Sequence, residues 1–177
     1  MPMIRSNEDR IKTISQLVGR IDGPVALILR GLPGCGKTDL ALAVTRSGRS
    51  FSHGQIIEMG IRPPHGRAAV EQDCTPDYDA INGQCFRGYL EALRLAGSYT
   101  GIVASVHNTM ASHVDLEPYR LAAVAHGIYP LIVRIDSPPD FCMTQQTRGL
   151  SLAEMYRIHE SLTKPLPDHV VGQAIIR

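Results

Sequence analysis

Hydrophobic positions along the chain alternate between two rhythms: residues three or four apart, and short unbroken runs. Ile11, Ile14, Leu17, Val18 and Ile21 recur at helical spacing and predict an amphipathic helix over about residues 5–20. Val25 to Leu29 is a continuous apolar run rich in branched residues, the signature of a strand covered on both faces. From Thr38 to Arg46 the rhythm is helical again, with Leu40 and Val44 one turn apart and Gly48 as a left-handed stop. Gln55 to Met59 reads as a second strand, Arg62 to Pro76 as a proline-rich loop, and Tyr78 to Leu95 as a long helix. A third strand is expected at Gly101 to Val106. The next helix is framed by Ser112 and Asp115 as a capping box and runs to His126, stopping at Gly127. Leu131 to Ile135 is a fourth strand. Ser151 and Glu154 repeat the capping box before a helix at Leu152 to Leu162, which ends ahead of Pro165 and Pro167, and Val170 to Ile176 adds an edge strand.

Strands that alternate with helices pair in parallel through right-handed crossovers, so the expected fold is α/β: a doubly wound, mainly parallel sheet flanked by helices, with its site at the strands' C-terminal ends. At 177 residues and 44% hydrophobic the chain suits one domain over 1–177, with a C-terminal tail from about residue 164. Lys plus Arg (18) nearly balances Asp plus Glu (17), so any polyanion must be gripped locally rather than by an overall field. Cys35, Cys74, Cys85 and Cys142 are scattered without zinc-finger spacing and read as free thiols in a reducing interior. No apolar run approaches the roughly 18 residues of a bilayer span, and the first ten residues are polar. A soluble cytoplasmic protein with no membrane partner is expected.

Candidate chemistry lies directly after the first strand, in Gly31-Leu32-Pro33-Gly34-Cys35-Gly36-Lys37-Thr38, which fits G-x-x-x-x-G-K-[ST]. Glycines let the backbone curl so that successive N–H groups face phosphate oxygens, and the following helix adds its positive end. Gly31, Gly34, Cys35, Gly36, Lys37 and Thr38 are therefore the candidate cofactor-binding residues for ATP. Lys37 is expected to reach the β and γ phosphates, and Thr38 to offer its hydroxyl to Mg²⁺. Cys35 occupies a free position of the pattern and is given no chemistry of its own.

Around this loop the sequence resembles P-loop kinases related to the kinase half of polynucleotide kinase/phosphatases, a group with zeta-toxin-like, AAA-type ATPase-like and bacteriophage members. The resemblance rests on four places. Arg30-Gly31-Leu32-Pro33-Gly34 is similar to the entry to the group's phosphate loop, and Ile102 to Thr109 to its third strand and following turn. Leu116-Glu117-Pro118-Tyr119 with Leu131-Ile132-Val133-Arg134 is similar to its next helix and strand, and Arg148-Gly149-Leu150-Ser151 with Arg157 to its lid and the helix behind it. The resemblance implies transfer of the γ-phosphoryl of ATP to a hydroxyl of a nucleic acid, DNA or RNA, typically a 5′ end. In a bacteriophage variant the acceptor is a hydroxymethyl group on a modified DNA base. It further implies an acidic base after strand two and arginines in the lid.

Against that pattern the chain departs in three places. Strand three ends in Val106-His107-Asn108-Thr109, with His107 where the group usually carries Asp, and an imidazole cannot give hydrated Mg²⁺ a carboxylate's support. Phe51-Ser52-His53-Gly54-Gln55 lacks the usual acid pair, but spacing from Thr38 brings Glu58 to the acidic position, so Glu58 is the first candidate general base. Asp73, Asp77 and Asp79 are its reserve. Gln145-Gln146-Thr147-Arg148 lacks an earlier lid arginine, which leaves Arg148, or Arg157, to stabilise the transferring phosphoryl. Lys37, Glu58 and Arg148 are thus the candidate catalytic set of a kinase. A noncatalytic nucleotide binder and a plain NTPase using water remain the alternatives.

Overall fold

The computed structural model describes residues 6–45, 50–51, 78–96, 99–146, 149–170 and 173–177. Helix α1 (Asn7–Val18) precedes strand β1 (Pro24–Gly31), helix α2 (Lys37–Val44) and the short strand β2 (Ser50–Phe51). Then come α3 (Tyr78–Arg94), β3 (Gly101–His107), α4 (His113–Ala125), β4 (Tyr129–Ile135), α5 (Pro139–Gln145), α6 (Leu152–Thr163) and β5 (Gln173–Ile176). The strands form one sheet in the order β2-β3-β1-β4-β5, and every neighbouring pair is parallel. This is the doubly wound α/β arrangement that the alternation of strands and helices predicts.

The unbroken apolar run of β1 is explained by its central place, since the sheet divides two cores. Ala26 and Ile28 face Ile81, Cys85 and Tyr89 of α3 and Leu116, Tyr119 and Ala123 of α4. Val25, Leu27 and Leu29 face the other way, toward Ile14 of α1, Leu40 and Ala41 of α2, Cys142 of α5 and Met155 and Leu162 of α6. Ile81, Cys85 and Tyr89, four residues apart, draw the stripe by which α3 lies on the sheet.

Local chemistry sets the ends of these elements. Ser6 accepts the N–H of Asp9 at 3.2 Å and opens α1. Asp115 Oδ2 accepts the backbone N–H of Ser112 at 2.9 Å at the head of α4, and Gly127, at φ 68°, turns the chain after its end. Ser151 and Glu154 cap α6 reciprocally, through bonds of 3.3 and 2.8 Å.

Some boundaries differ from expectation. Strand β2, at Ser50–Phe51, pairs with Ser105 and Val106 and has no counterpart in the hydrophobic pattern; the strand expected at Gln55 to Met59, the loop Arg62 to Pro76 and Gly48 lie outside the described residues. The hydrophobic pattern does not mark helix α5, because its seven residues, Pro139–Gln145, are too short to show a period. Its signal is the Pro138-Pro139 pair, which places proline at the first helical position. Among the described residues, no helix is long and apolar enough to cross a membrane.

Candidate phosphate-binding site

Parallel register gathers the C-terminal ends of three strands: Leu29 stands opposite His107, and Gly31 opposite Ile135. From that edge the chain leaves β1, runs through Leu32 to Gly36 and enters α2 at Lys37. The loop needs glycine where its backbone is left-handed. Gly36, at φ 85° and ψ 16°, caps α2 in the left-handed region with no side-chain bond to the helix's first N–H groups. Gly34 has φ 81°, and any Cβ there would overlap the main-chain oxygen of Cys142 and stand 2.9 Å from the N of Gln146. The phosphate loop therefore lies directly against α5.

Lys37 is buried within this loop, 8% exposed, and its Nζ donates to the carbonyls of Gly31 (2.9 Å) and Leu32 (2.6 Å) and to Cys35 Sγ (3.6 Å). The ammonium sits inside the curl of the loop, held by its main chain. Thr38, next along in the first turn of α2, is exposed. Cys35 is 1% exposed and packs into the core shared by α1 and α2, so its side chain faces inward. Its thiol neighbours that of Cys142, which burial and Cys35 push up to about 12 against the pull of Lys37, Arg10 and Ser137. The Cys142 thiol is therefore a poor nucleophile. Cys35, Cys85 and Cys142 are free and buried, and Cys74 lies outside the described residues.

His107 ends β3 at 2% exposure, and its pKa is pushed down to about 3, first by burial and then by the Lys37 charge. The imidazole is neutral at physiological pH and supplies no negative charge to a metal. Among the described residues, no group of three or more His, Cys, Asp or Glu side chains gathers to hold one. Arg30, 1% exposed on β1, donates through Nη2 to the carbonyl of Ala111 at 3.0 Å and so ties the segment after β3 to the strand that feeds the loop. Burial and the neighbouring Arg134 lower its pKa to about 10, opposed by Asp115, so it remains a cation. Gly31 N–H also donates to the carbonyl of Thr109, at 3.2 Å.

Beside the loop opens a cleft of about 750 Å³. Pro33 of the loop forms one edge, Asn82 and Phe86 of α3 a second, and Asn108 to Ala111 the base; Val114, Asp115, Pro118 and Tyr119 of α4 form the far wall. Phe86 and Tyr119 meet edge to face with centroids 5.4 Å apart, which fixes both rings. Met110 takes a positive φ of 45°, a strained conformation for a side-chain-bearing residue, at the cleft base. No local pattern in the sequence marks Phe86, Met110 or Tyr119 as part of a site, and Asp115 reads there only as a cap. Their juxtaposition depends on strand register and helix placement that no local pattern encodes.

Of the other candidate residues, Glu58, Asp73, Asp77 and Arg148 lie outside the described residues, as does the side chain of Asp79. Arg157 is exposed on α6, beside Glu154.

No family model matches the chain, and no curated protein matches it. Solved structures do. A gluconokinase from Sinorhizobium meliloti 1021 is 16% identical with a TM-score of 0.52, the match covering 86% of this chain and 81% of that one. A protein called APE1195 is 15% identical with a TM-score of 0.50, covering 89% of this chain and 86% of its own. At such identities the likeness is one of fold, and the fold is that of the α/β P-loop NTPases.

Proposed function

We propose that this protein is an ATP-dependent phosphotransferase that moves the γ-phosphoryl of ATP to a hydroxyl of a nucleic acid or nucleotide-like acceptor. The observation that carries this reading is the buried Lys37 ammonium inside a left-handed glycine loop that itself borders the cleft through Pro33. A triphosphate laid on this loop would meet the first N–H groups of α2 and the Lys37 charge, with its terminal phosphate directed toward the cleft. The residues present fit ATP. They fit Mg²⁺ through the exposed Thr38 hydroxyl, with the nucleotide's own oxygens and water completing an octahedron, because His107 brings no charge. When bound, the ion would screen the phosphate oxygens.

In the transfer the acceptor oxygen bonds to the γ-phosphorus while the bond to the β–γ bridging oxygen breaks. The hydroxyl proton passes to a carboxylate, and ADP leaves. Glu58 is proposed for that base from its spacing after the loop. Asp115, the carboxylate among the described residues on the cleft wall, is its competitor. Arg148 is proposed to steady the moving phosphoryl through its planar fork. Nucleic acid as acceptor is supported by the sequence resemblance and by a cleft whose Phe86 and Tyr119 rings suit packing against a planar base.

Purified protein is incubated with Mg²⁺ and γ-labelled ATP beside 5′-hydroxyl DNA, 5′-hydroxyl RNA and hydroxymethylated DNA. Label on one of these supports the reading and names the acceptor. Release of free phosphate alone points to an NTPase. Bound ATP with neither outcome leaves a noncatalytic binder, the reading that the neutral His107 favours, and sinks the transferase.

A further inference from the structure

Helix α1 precedes the sheet and contributes no residue to the loop motif, yet it carries a guanidinium into the loop's foundation. Arg10 is 2% exposed. Its Nη1 donates to the main-chain oxygen of Cys35 at 3.2 Å, and its Nη2 to Ser137 Oγ, between β4 and α5, at 3.1 Å. The start of α1 lies on the same side, where Asn7 Oδ1 stands 3.8 Å from the position a Gly36 Cβ would take. Gly34 meanwhile abuts the main chain of α5 at Cys142 and Gln146. One buried cation thus binds the underside of the loop to the segment that leads into α5.

The bond to Cys35 has a consequence for the next residue. A peptide unit is planar and trans, so its C=O and N–H point in opposite directions. Anchoring the Cys35 oxygen toward Arg10 turns the Gly36 N–H the opposite way, away from α1. With glycine at position 36 the backbone has no side chain to restrain that peptide, and a free Cys35–Gly36 unit has alternative orientations. We propose that Arg10 is a positioning residue of the phosphate loop, holding the Cys35–Gly36 peptide so that the Gly36 N–H faces a bound nucleotide phosphate. This inference rests on reading the loop as a nucleotide site.

The test measures ATP and ADP affinity, with Mg²⁺, for the full chain as wild type, Arg10→Met and Arg10→Lys, together with the Gly36 amide proton shift as ADP is added. Methionine fills the buried stem without donors, and lysine restores one donor to the Cys35 oxygen. Loss of a phosphate-facing N–H predicts about a 10- to 100-fold weaker binding for Arg10→Met, the range for a hydrogen bond to a charged group. The Gly36 response should shrink in Arg10→Met and return in Arg10→Lys, a readout that general loosening of α1 would not restore. Wild-type affinity in Arg10→Met, or weakened affinity with an unchanged Gly36 response, overturns the proposal. If Arg10→Met does not fold, Arg10→Lys decides: a retained Gly36 response supports the role, and wild-type affinity with the response lost overturns it. A wild-type protein that binds neither nucleotide refutes the nucleotide reading instead, which is a separate outcome.

Discussion

At the scale of single residues, charge inside the loop and neutrality beside it make opposite demands. Lys37 donates to its own loop, to the carbonyls of Gly31 and Leu32 and to Cys35 Sγ, so Lys37→Ala should leave the fold intact while removing tight ATP binding. Isothermal titration shows this directly, and unchanged affinity would refute the loop assignment. His107 makes a pH prediction. Its folded pKa of about 3 lies below the ordinary 6.5, so the unfolded chain takes up a proton that the native state refuses. The stability this neutral imidazole retains is full above about pH 6.5 and drains away as pH falls toward 3, at up to roughly 1.4 kcal/mol per pH unit. Urea unfolding at pH 7 and pH 5 should therefore cost the wild type about 1–2 kcal/mol more than His107→Gln; parallel losses would mean that His107 already carries its proton in the native state. Residues such as Lys37 were legible because the motif lies in contiguous sequence. Arg10 was not, since its partners are 25 and 127 positions away and a lone arginine in an amphipathic helix reads as surface.

At the scale of elements, the sequence revealed those whose ends carry their own chemistry. The boxes at Ser112 and Ser151 and the stop at Gly127 announced α4 and α6. The seven-residue α5 had no room for a period, and with it went any sign that a helix supports the loop. That support is testable through two glycines of similar conformation. Gly34 and Gly127 have φ of 81° and 68°, but a Cβ at Gly127 meets nothing within 4 Å, whereas one at Gly34 runs into Cys142 and Gln146. Gly127→Ala should cost only the left-handed strain, about 1–2 kcal/mol. Gly34→Ala should cost more, because loop and helix must part, and it should also weaken ATP binding at least tenfold. Denaturant midpoints and titration measure both. Equal destabilisation with equal affinity would mean that α5 yields freely and does not brace the loop.

At the scale of the whole molecule, the sheet separates two cores, and the loop crosses from one to the other: β1 feeds it from between them, α2 leads into the core of α1, α5 and α6, and Pro33 borders the cleft walled by α3 and α4. The alternation of strands and helices made this architecture legible, because parallel pairing and handedness leave few ways to wind it. The cleft was not legible, since Pro33, Phe86, Met110 and Tyr119 meet only through the order β3-β1-β4. A ligand on the loop touches elements from both cores, so binding should stabilise the molecule as a unit rather than one layer. Linkage sets the size: a nucleotide at 100 times its dissociation constant adds about 2.7 kcal/mol. For a chain of this length each kcal/mol raises Tm by about 2–4 °C, so ATP with Mg²⁺ should raise it by roughly 5–10 °C in a single transition. The shift should vanish in Lys37→Ala and shrink in EDTA, where Thr38 has no ion to share with the phosphates. A melt that splits into two transitions on adding ATP, with only one moving, would show that the loop stabilises a single layer and that the two cores are not coupled through it.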